Sequence, residues 1–238
     1  MSRKLRKFKK VKENNHSNEN VEQDAEEKRF NYPLVAKTEA QGHYILSINS
    51  NKLTYGTGCA GTGKTFIAGI LASDALKEKK IEKIIITRPA VEAGESFGFL
   101  PGEVDEKYEP YLQPFKDVLN QRLGKSTVNY MLKSKKIEAV PMSFMRGRSF
   151  NDCWVILDEA QNVTKKQMKM FLTRIGTNCR VIINGDPDQS DLPIGMSGLL
   201  DSVDRMKTSN NVGVIKFTDE DCVRSGLVRE VLMRYRGG

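Results

Sequence analysis

The stretch TYGTGCAGTGKTFIAGIL, Thr54 to Leu71, passes from a strand-like segment through a glycine-rich loop into a periodic apolar segment. Its centre, GCAGTGKT, Gly58 to Thr65, fits G-x-x-x-x-G-K-[ST], the pattern of a phosphate-binding loop between a strand and a helix. The glycines let consecutive backbone N–H groups converge on phosphate oxygens, and the helix N-terminus adds its positive end. Lys64 can reach the β- and γ-phosphates, and the Thr65 hydroxyl can bind Mg²⁺. The stretch therefore predicts a nucleotide site.

Strand-like and helix-like segments alternate outward from this loop. Strands are predicted over residues 52–58, 83–90, 137–142, 153–158, 180–185 and 212–217. Helices are predicted over residues 65–79, 105–136, 164–175, 197–206 and 219–235. The strands are mostly apolar throughout, which is typical of a parallel sheet covered by helices on both faces. We expect an α/β fold with a mostly parallel sheet and with ligands at the carboxyl ends of its strands.

An acidic pair follows one of these strands in VILDEAQN, Val155 to Asn162. Asp158 is at the strand end, where a Mg²⁺ ligand is expected, and Glu159 is placed to deprotonate a water for attack on the γ-phosphate. Alone, such a pair is more often a solvated helix start, but the upstream phosphate loop favours the hydrolytic interpretation. The second carboxylate also favours water as the acceptor, and therefore argues against a nucleotide kinase.

Polar residues also end the next strand, in IINGDPDQSDLP. Asn184, Asp186 and Gln189 could sense the γ-phosphate and transmit its loss to the rest of the domain. An ordinary Gly-Asp-Pro turn is the alternative interpretation.

Four arginines lie beside predicted strand ends or helix starts. Each could stabilise transition-state charge or bind a nucleic-acid phosphate, although most surface arginines do neither. They are Arg88, Arg146, Arg148 and Arg224.

Charge and cysteine content narrow the class of protein. The net charge is +8, but the first twelve residues carry seven Lys or Arg, and the remainder is close to neutral. We predict a disordered basic arm over residues 1–28 and one ATPase-type domain over residues 29–238. The four cysteines lack metal-ligand spacing, which favours a reducing cytosol. Neither a membrane span nor a signal peptide is expected.

Six sequence blocks resemble the PhoH-like family, whose members are relatives of superfamily 1 helicases. They are TGCAGTGKT, TRPAVEAGESFGFLPGEVDEKYEPYLQP, MRGRSFNDCWVILDEAQN, QMKMFLTRIG, GDPDQSDLP and FTDEDCVRSGLV, in family order. The resemblance implies a RecA-like P-loop core that uses ATP and Mg²⁺. It also implies assembly as a homo-oligomer, often a hexameric ring, with roles in RNA metabolism and unwinding.

The resemblance also implies roles for single residues. The whole loop Gly58, Cys59, Ala60, Gly61, Thr62, Gly63, Lys64 and Thr65 would contact nucleotide, with Cys59 where the family usually has Pro. Asp158 and Glu159 match the acidic pair, and Gln161 and Gln189 match its downstream glutamines. Gln41 resembles a glutamine that recognises adenine. Because only one P-loop core is present, we expect a neighbouring subunit to supply an arginine, with Arg224, Arg146 and Arg148 as candidates.

Two functions stay open at this point. One is an ATP-driven motor on single-stranded RNA or DNA, which the block order, the basic arm and the helicase-like TRPA segment favour. The other is an ATPase switch or scaffold that acts on a protein partner, which the nearly neutral core with few aromatic residues mildly favours.

Overall fold

The structure is a computed structural model that describes residues 32–89 and 104–235. The chain divides into two compact units, residues 1–34 and residues 35–238, and all described helices and strands belong to the second. The predicted arm over residues 1–28, and the part of the TRPA-containing block from residue 90 to residue 103, lie outside the described residues. No helix in the two described ranges is both long and apolar enough to cross a membrane.

Strands and helices alternate along the described chain. The strands are β1 Leu53–Gly58, β2 Lys83–Thr87, β3 Ile137–Ala139, β4 Cys153–Leu157, β5 Arg180–Gly185 and β6 Val212–Phe217. The helices are α1 Glu39–Ser50, α2 Lys64–Lys77, α3 Val104–Leu123, α4 Lys125–Lys133, α5 Lys165–Leu172, α6 Leu199–Met206 and α7 Gly226–Tyr235. Short 3₁₀ turns occur at Met142–Met145, Ala160–Asn162, Pro187–Gln189 and Asp219–Asp221.

The six strands form one sheet in the order β3-β2-β4-β5-β1-β6, and every neighbouring pair is parallel. The register places Tyr55 beside Ile183 and Val155 beside both Ile85 and Val181. The sheet confirms the predicted RecA-like P-loop α/β class. Because the strands are parallel, the carboxyl ends of β1, β2, β4 and β5 lie at the same edge of the sheet. The polar motifs that follow these strands meet there.

Burial on both faces explains why the central strands are almost continuously apolar. Ile85, Val155 and Val181 share one hydrophobic cluster with Phe171 of α5 and Leu199 of α6. Successive residues of a strand point to opposite faces of the sheet. The residues next to Ile85, Val155 and Val181 in sequence therefore pack on the other face. That side is covered by α1, α2 and α3.

Helix α1 is absent from the sequence predictions. The Thr38 hydroxyl caps its N-terminus by accepting a hydrogen bond from the backbone N–H of Gln41. Its buried face consists of Gln41, Tyr44, Ser47 and Ile48. This face has helical spacing, but half of it is polar, so an apolar periodicity does not detect it.

Two predicted helices are wrong in extent. The helix predicted over residues 105–136 is divided at Gly124, whose φ of 84° ends α3 and precedes α4. The helix predicted over residues 219–235 starts only at Gly226. Before it, the Asp221 carboxylate accepts from the backbone N–H of Thr218, and Cys222 is extended. The backbone N–H of Val223 then donates to the Gly61 carbonyl at 3.0 Å, which draws this segment onto the phosphate loop.

Candidate functional site

The phosphate loop has the predicted strand-loop-helix context. Strand β1 ends at Gly58, and α2 begins at Lys64. Gly58, Gly61 and Gly63 have φ values of 116°, 81° and 86°, which favour glycine. A Cβ on Gly58 would lie 2.0 Å from the Phe217 carbonyl oxygen, so β6 passes directly behind the loop. These glycines and the helix N-terminus form a cradle that fits the phosphates of a nucleotide.

Lys64 is 8 % exposed and is held by the loop itself. Its Nζ donates to the carbonyl oxygens of Gly58 and Cys59 at 2.6 and 2.7 Å. The Thr62 hydroxyl lies 3.3 Å from the same ammonium and donates to the Cys59 carbonyl. Burial lowers the pKa of Lys64, and nearby acids led by Asp186 oppose that shift. Ala60, the remaining loop position, is half-buried.

Asp158 follows β4 directly and joins the two predicted halves of the site. Asp158 as a whole residue is 4 % exposed, and the Thr65 hydroxyl lies 3.2 and 3.3 Å from its two carboxylate oxygens. A hydroxyl beside a carboxylate is a hard-oxygen donor set that suits Mg²⁺. No group of three or more His, Cys, Asp or Glu able to hold a metal occurs in residues 32–89 or 104–235. Mg²⁺ bound here would complete its shell with phosphates and water, its usual preference at nucleotide sites.

Glu159 has a left-handed backbone, with φ 54° and ψ 39°. This conformation is costly for a residue with a Cβ, and such costs concentrate at functional sites. The Glu159 side chain is 47 % exposed, and its Oε2 accepts from the Gln161 amide at 2.7 Å. The turn thus places one carboxylate inside the site and the next one at its opening.

Gln161 connects this acidic pair to the end of β5. Its Oε1 accepts from the backbone N–H of Asp186 at 3.0 Å. The Asp186 carboxylate accepts in turn from the Gln189 amide at 2.8 Å and from the backbone N–H of Asp188. Of the polar residues predicted to act after β4 and β5, Glu159, Gln161, Asp186 and Gln189 form one hydrogen-bonded chain, whereas Asn184 accepts a hydrogen bond from Tyr44 instead.

Arg88 follows β2 and contacts both acids. Its Nη2 and Nε lie 2.6 and 3.2 Å from Oδ2 of Asp158, and its Nη2 lies 3.6 Å from Glu159. Burial raises the pKa of Asp158, and the Arg88 guanidinium opposes that shift. Arg88 was predicted as a possible contact for nucleic acid, but here it is bound inside the acidic pair and is 17 % exposed.

Gln41 lies beside the phosphate loop. Its amide nitrogen donates to the Thr62 carbonyl at 2.9 Å, and its Oε1 accepts from the backbone N–H of Lys37. A Cβ on Gly63 would be 3.1 Å from the Gln41 amide nitrogen. Gln41 therefore fastens α1 to the loop, and its recognition of adenine stays a prediction.

The three other arginines are in different settings. Arg224 is exposed and lies on the loop of its own chain, because a Cβ on Gly61 would be 2.7 Å from its Cδ and Nε. Arg148 pairs with Glu138 of strand β3 at 2.9 Å. Arg146 is exposed. The structure therefore brings only Arg224 of these three to the phosphate loop, and it does so within one chain.

Tyr44 is a site residue that sequence reasoning missed. Its hydroxyl donates to Oδ1 of Asn184, and its ring meets Phe217 edge-on at 5.4 Å. Burial raises the pKa of Tyr44, while the bond to Asn184 opposes that shift. The available signal was its position three residues after Gln41, on the same helical face. Tyr44 and Asn184 support the underside of the site.

A cavity of about 600 Å³ adjoins the acidic pair. Its lining includes Arg88, Gln161 and the three carboxylates of Glu159, Asp188 and Asp191. Its described lining residues are therefore net acidic, with three carboxylates and the one guanidinium of Arg88.

The loop that follows β5 is fastened to the residues after the acidic pair. Asn162 and Asp191 exchange two hydrogen bonds of 2.9 and 2.8 Å, and the Ser190 hydroxyl donates to the Gln161 carbonyl. At the other end of the loop, the backbone N–H of Gly198 donates to the Val163 carbonyl at 2.7 Å. Between these ties, Ile194 is fully exposed at the tip.

Comparison with known proteins places the chain among relatives. It is 49 % identical over 214 residues to Protein PhoH of Escherichia coli (strain K12), covering 89 % of this chain and 60 % of that protein. It is 46 % identical over 203 residues to the PhoH-like protein of Bacillus subtilis (strain 168), covering 85 % and 64 %. The chain thus spans about three-fifths of the length of these relatives.

Among solved structures, a similarity is found to the Sulfolobus solfataricus SWI2/SNF2 ATPase core in complex with dsDNA. The TM-score is 0.43 at 15 % identity, and the match covers 66 % of this chain and 33 % of that one. The profile of the family described as "PhoH-like protein" matches residues 33–236, which include the whole site. The chain therefore belongs to the PhoH-like protein family.

Proposed function

We propose that the chain is a Mg²⁺-dependent ATPase that couples hydrolysis to the binding or unwinding of single-stranded RNA or DNA. The observation that carries this proposal is the contact between Thr65 of the phosphate loop and Asp158 of the acidic pair. This contact supports the proposal because it joins a phosphate cradle to a metal-compatible oxygen pair, next to Glu159, the residue that we propose as the base. Family membership is consistent with the same activity.

In this mechanism the loop N–H groups and Lys64 hold the β- and γ-phosphates, and Thr65 and Asp158 would hold the metal. Mg²⁺, when bound, neutralises charge that develops on the phosphate oxygens. Glu159 accepts the proton of the attacking water. The Gln161 amide holds the Glu159 carboxylate in place through a hydrogen bond of 2.7 Å.

Two variants test the hydrolytic half. Glu159→Gln should still bind ATP, but its turnover should fall by at least about 10²-fold, because the amide cannot accept the proton. Lys64→Ala should weaken binding of the triphosphate itself. Phosphate release and equilibrium binding of a fluorescent ATP analogue measure the two effects. Undiminished turnover in Glu159→Gln would remove Glu159 from the role of base.

The nucleic-acid half is tested by ATP turnover with and without single-stranded RNA or DNA at low salt. Stimulation that decreases as salt rises supports a motor or remodeller, because phosphate contacts are salt-dependent. Turnover without stimulation, together with no salt-dependent binding, rejects that half.

We further propose that the protein is a cytosolic homo-oligomer, with a hexameric ring favoured, and that a neighbouring subunit supplies an arginine. Arg146 is exposed and Arg148 is partly so, which leaves both within reach of a neighbour. Arg224 is seated on its own loop and is better placed to act within its own chain. Gel filtration with light scattering tests the assembly. A monomer that hydrolyses ATP at full rate would refute it.

A second function is an ATPase switch that acts on a protein partner. A pocket of about 450 Å³ beside the loop after β5 is lined by Leu192, Pro193 and Ile194. Met196 and Leu200 nearby are also half exposed. Exposed apolar surface of this kind suits a protein contact better than a phosphate backbone. Nucleotide-dependent binding of a protein, without any effect of oligonucleotides on turnover, would favour this function.

A further inference from the structure

Arg88 and Mg²⁺ would need the same carboxylate. Two nitrogens of the Arg88 guanidinium converge on Oδ2 of Asp158, at 2.6 and 3.2 Å. The Thr65 hydroxyl lies against the same carboxylate, so the metal-compatible oxygens and the guanidinium share one small volume. The side chains of Asp158 and Arg88 are 5 % and 17 % exposed, so water screens this volume poorly.

We propose that Arg88 is a positioning residue that competes with Mg²⁺ for Asp158 and thereby sets the Mg²⁺ concentration at which nucleotide binds tightly. The inference rests on the proposed ATPase function and adds a control on the same site. Oδ2 accepts both guanidinium hydrogen bonds and is therefore a poor metal ligand while Arg88 stays in place, which leaves Oδ1, beside the Thr65 hydroxyl, to ligate Mg²⁺. Two cations this close together also repel each other strongly where water is scarce. Arg88 in this position therefore weakens metal binding at Asp158, and moving its side chain away strengthens that binding.

The surroundings provide a place for the displaced guanidinium. The acidic cavity of about 600 Å³ opens at Arg88 itself. Among the described residues, Glu159, already 3.6 Å from Nη2, offers an alternative carboxylate, and Asp188 and Asp191 line the same space. The exchange moves one positive charge from the metal ligand towards the general base. No charge is left without a counter-ion.

The test measures the Mg²⁺ concentration that gives half of the maximal binding of a fluorescent ADP analogue, at about pH 8 where carboxylates are ionised. The proteins are the full wild-type chain, Arg88→Gln and Arg88→Lys. The matched control is Arg122→Gln, because Arg122 makes a similar two-point contact with Asp74, at 2.6 and 2.7 Å, away from the phosphate loop.

We expect Arg88→Gln to lower the half-saturating Mg²⁺ concentration about tenfold, the effect of removing one close charge pair. Arg88→Lys should lower it less, because an ammonium retains the charge but loses the planar two-point contact. Arg122→Gln should behave like the wild type. Thermal stabilisation by MgCl₂ alone should also begin at lower concentration in Arg88→Gln than in the wild type. An unchanged or higher half-saturating concentration in Arg88→Gln overturns the proposal.

The experiment distinguishes failure of the proposed ATPase function from failure of the proposed competition between Arg88 and Mg²⁺. If wild-type protein binds no nucleotide with Mg²⁺ present, the proposed ATPase function fails. If it binds nucleotide normally and Arg88→Gln has the wild-type Mg²⁺ dependence, the competition alone fails. Should Arg88→Gln not fold, as judged by the fluorescence of Trp154, then Arg88→Lys decides the question. No decrease in its half-saturating concentration overturns the proposal as well.

Discussion

Replacing Arg88 by Gln and Asp158 by Asn should reduce the stability of the fold very unequally. Arg88→Gln leaves an ionised carboxylate, with its side chain 5 % exposed, beside an uncharged amide. Asp158→Asn leaves the guanidinium, which is 17 % exposed and lies 3.6 Å from the half-exposed Glu159. Arg88→Gln therefore leaves the buried Asp158 carboxylate without its counter-ion. Asp158→Asn leaves the Arg88 guanidinium with Glu159 as a substitute partner.

The expected loss for Arg88→Gln is about 3 kcal/mol in the free energy of unfolding at about pH 8, as for other buried pairs that lose one member. The loss for Asp158→Asn should stay within about 1 kcal/mol, because the guanidinium keeps a carboxylate partner in the half-exposed Glu159, 3.6 Å away. Unfolding is measured in EDTA, so that no metal ion neutralises the Asp158 carboxylate in place of Arg88. Urea unfolding followed by Trp154, the single tryptophan, gives both values.

The pH dependence follows from the direction of the Asp158 pKa. Burial raises it, so folded protein binds a proton there more tightly than unfolded protein does. The stability contributed by the protonated group is present at low pH and is lost as pH rises through the raised pKa. Removing Arg88 raises that pKa further, so the deficit of Arg88→Gln should be largest at about pH 8 and should shrink at about pH 5. Equal losses in the two variants, or a deficit that is the same at both pH values, would refute the reasoning.

Two further predictions concern the glycines of the phosphate loop. Gly58→Ala forces a Cβ to within 2.0 Å of the Phe217 carbonyl at a φ of 116°, and should lower the melting temperature by on the order of 10 °C. Gly147→Ala, with a φ of 81° and no atom within 4 Å, should cost only a few degrees, and an equal loss in both would contradict the contact. Gly61→Ala brings a Cβ to 2.7 Å from Arg224, so its cost in thermal unfolding should be smaller in an Arg224→Ala background. Strictly additive losses would show that Arg224 does not rest on the loop.

The nucleotide cradle and the parallel sheet could be predicted because both depend on local sequence. GCAGTGKT fixes its own backbone through its glycines, and apolar strands such as Cys153–Leu157 are apolar because helices cover both faces. Asp158 was identifiable for the same reason, since it directly follows such a strand.

The remaining features depend on contacts between distant segments. Arg88 is seventy residues from Asp158 in sequence, and nothing near TRPA shows that its guanidinium turns towards the site. The segment from Cys222 to Ser225 has helical composition, yet it is not helical, and the backbone N–H of Val223 donates instead to the Gly61 carbonyl. Helix α1 escaped detection because its buried face carries the polar side chains that support the loop.

The loop after β5 gives the site a mechanical property. Its two ends are fastened to the stretch from Gln161 to Val163, while Ile194 stands free at its tip. Because both ends of the loop are hydrogen-bonded to this stretch, a partner that binds the exposed tip and displaces it also displaces the segment that contains Gln161. Gln161 holds the Glu159 carboxylate, so displacement of this loop is transmitted to the residue that we propose as the general base.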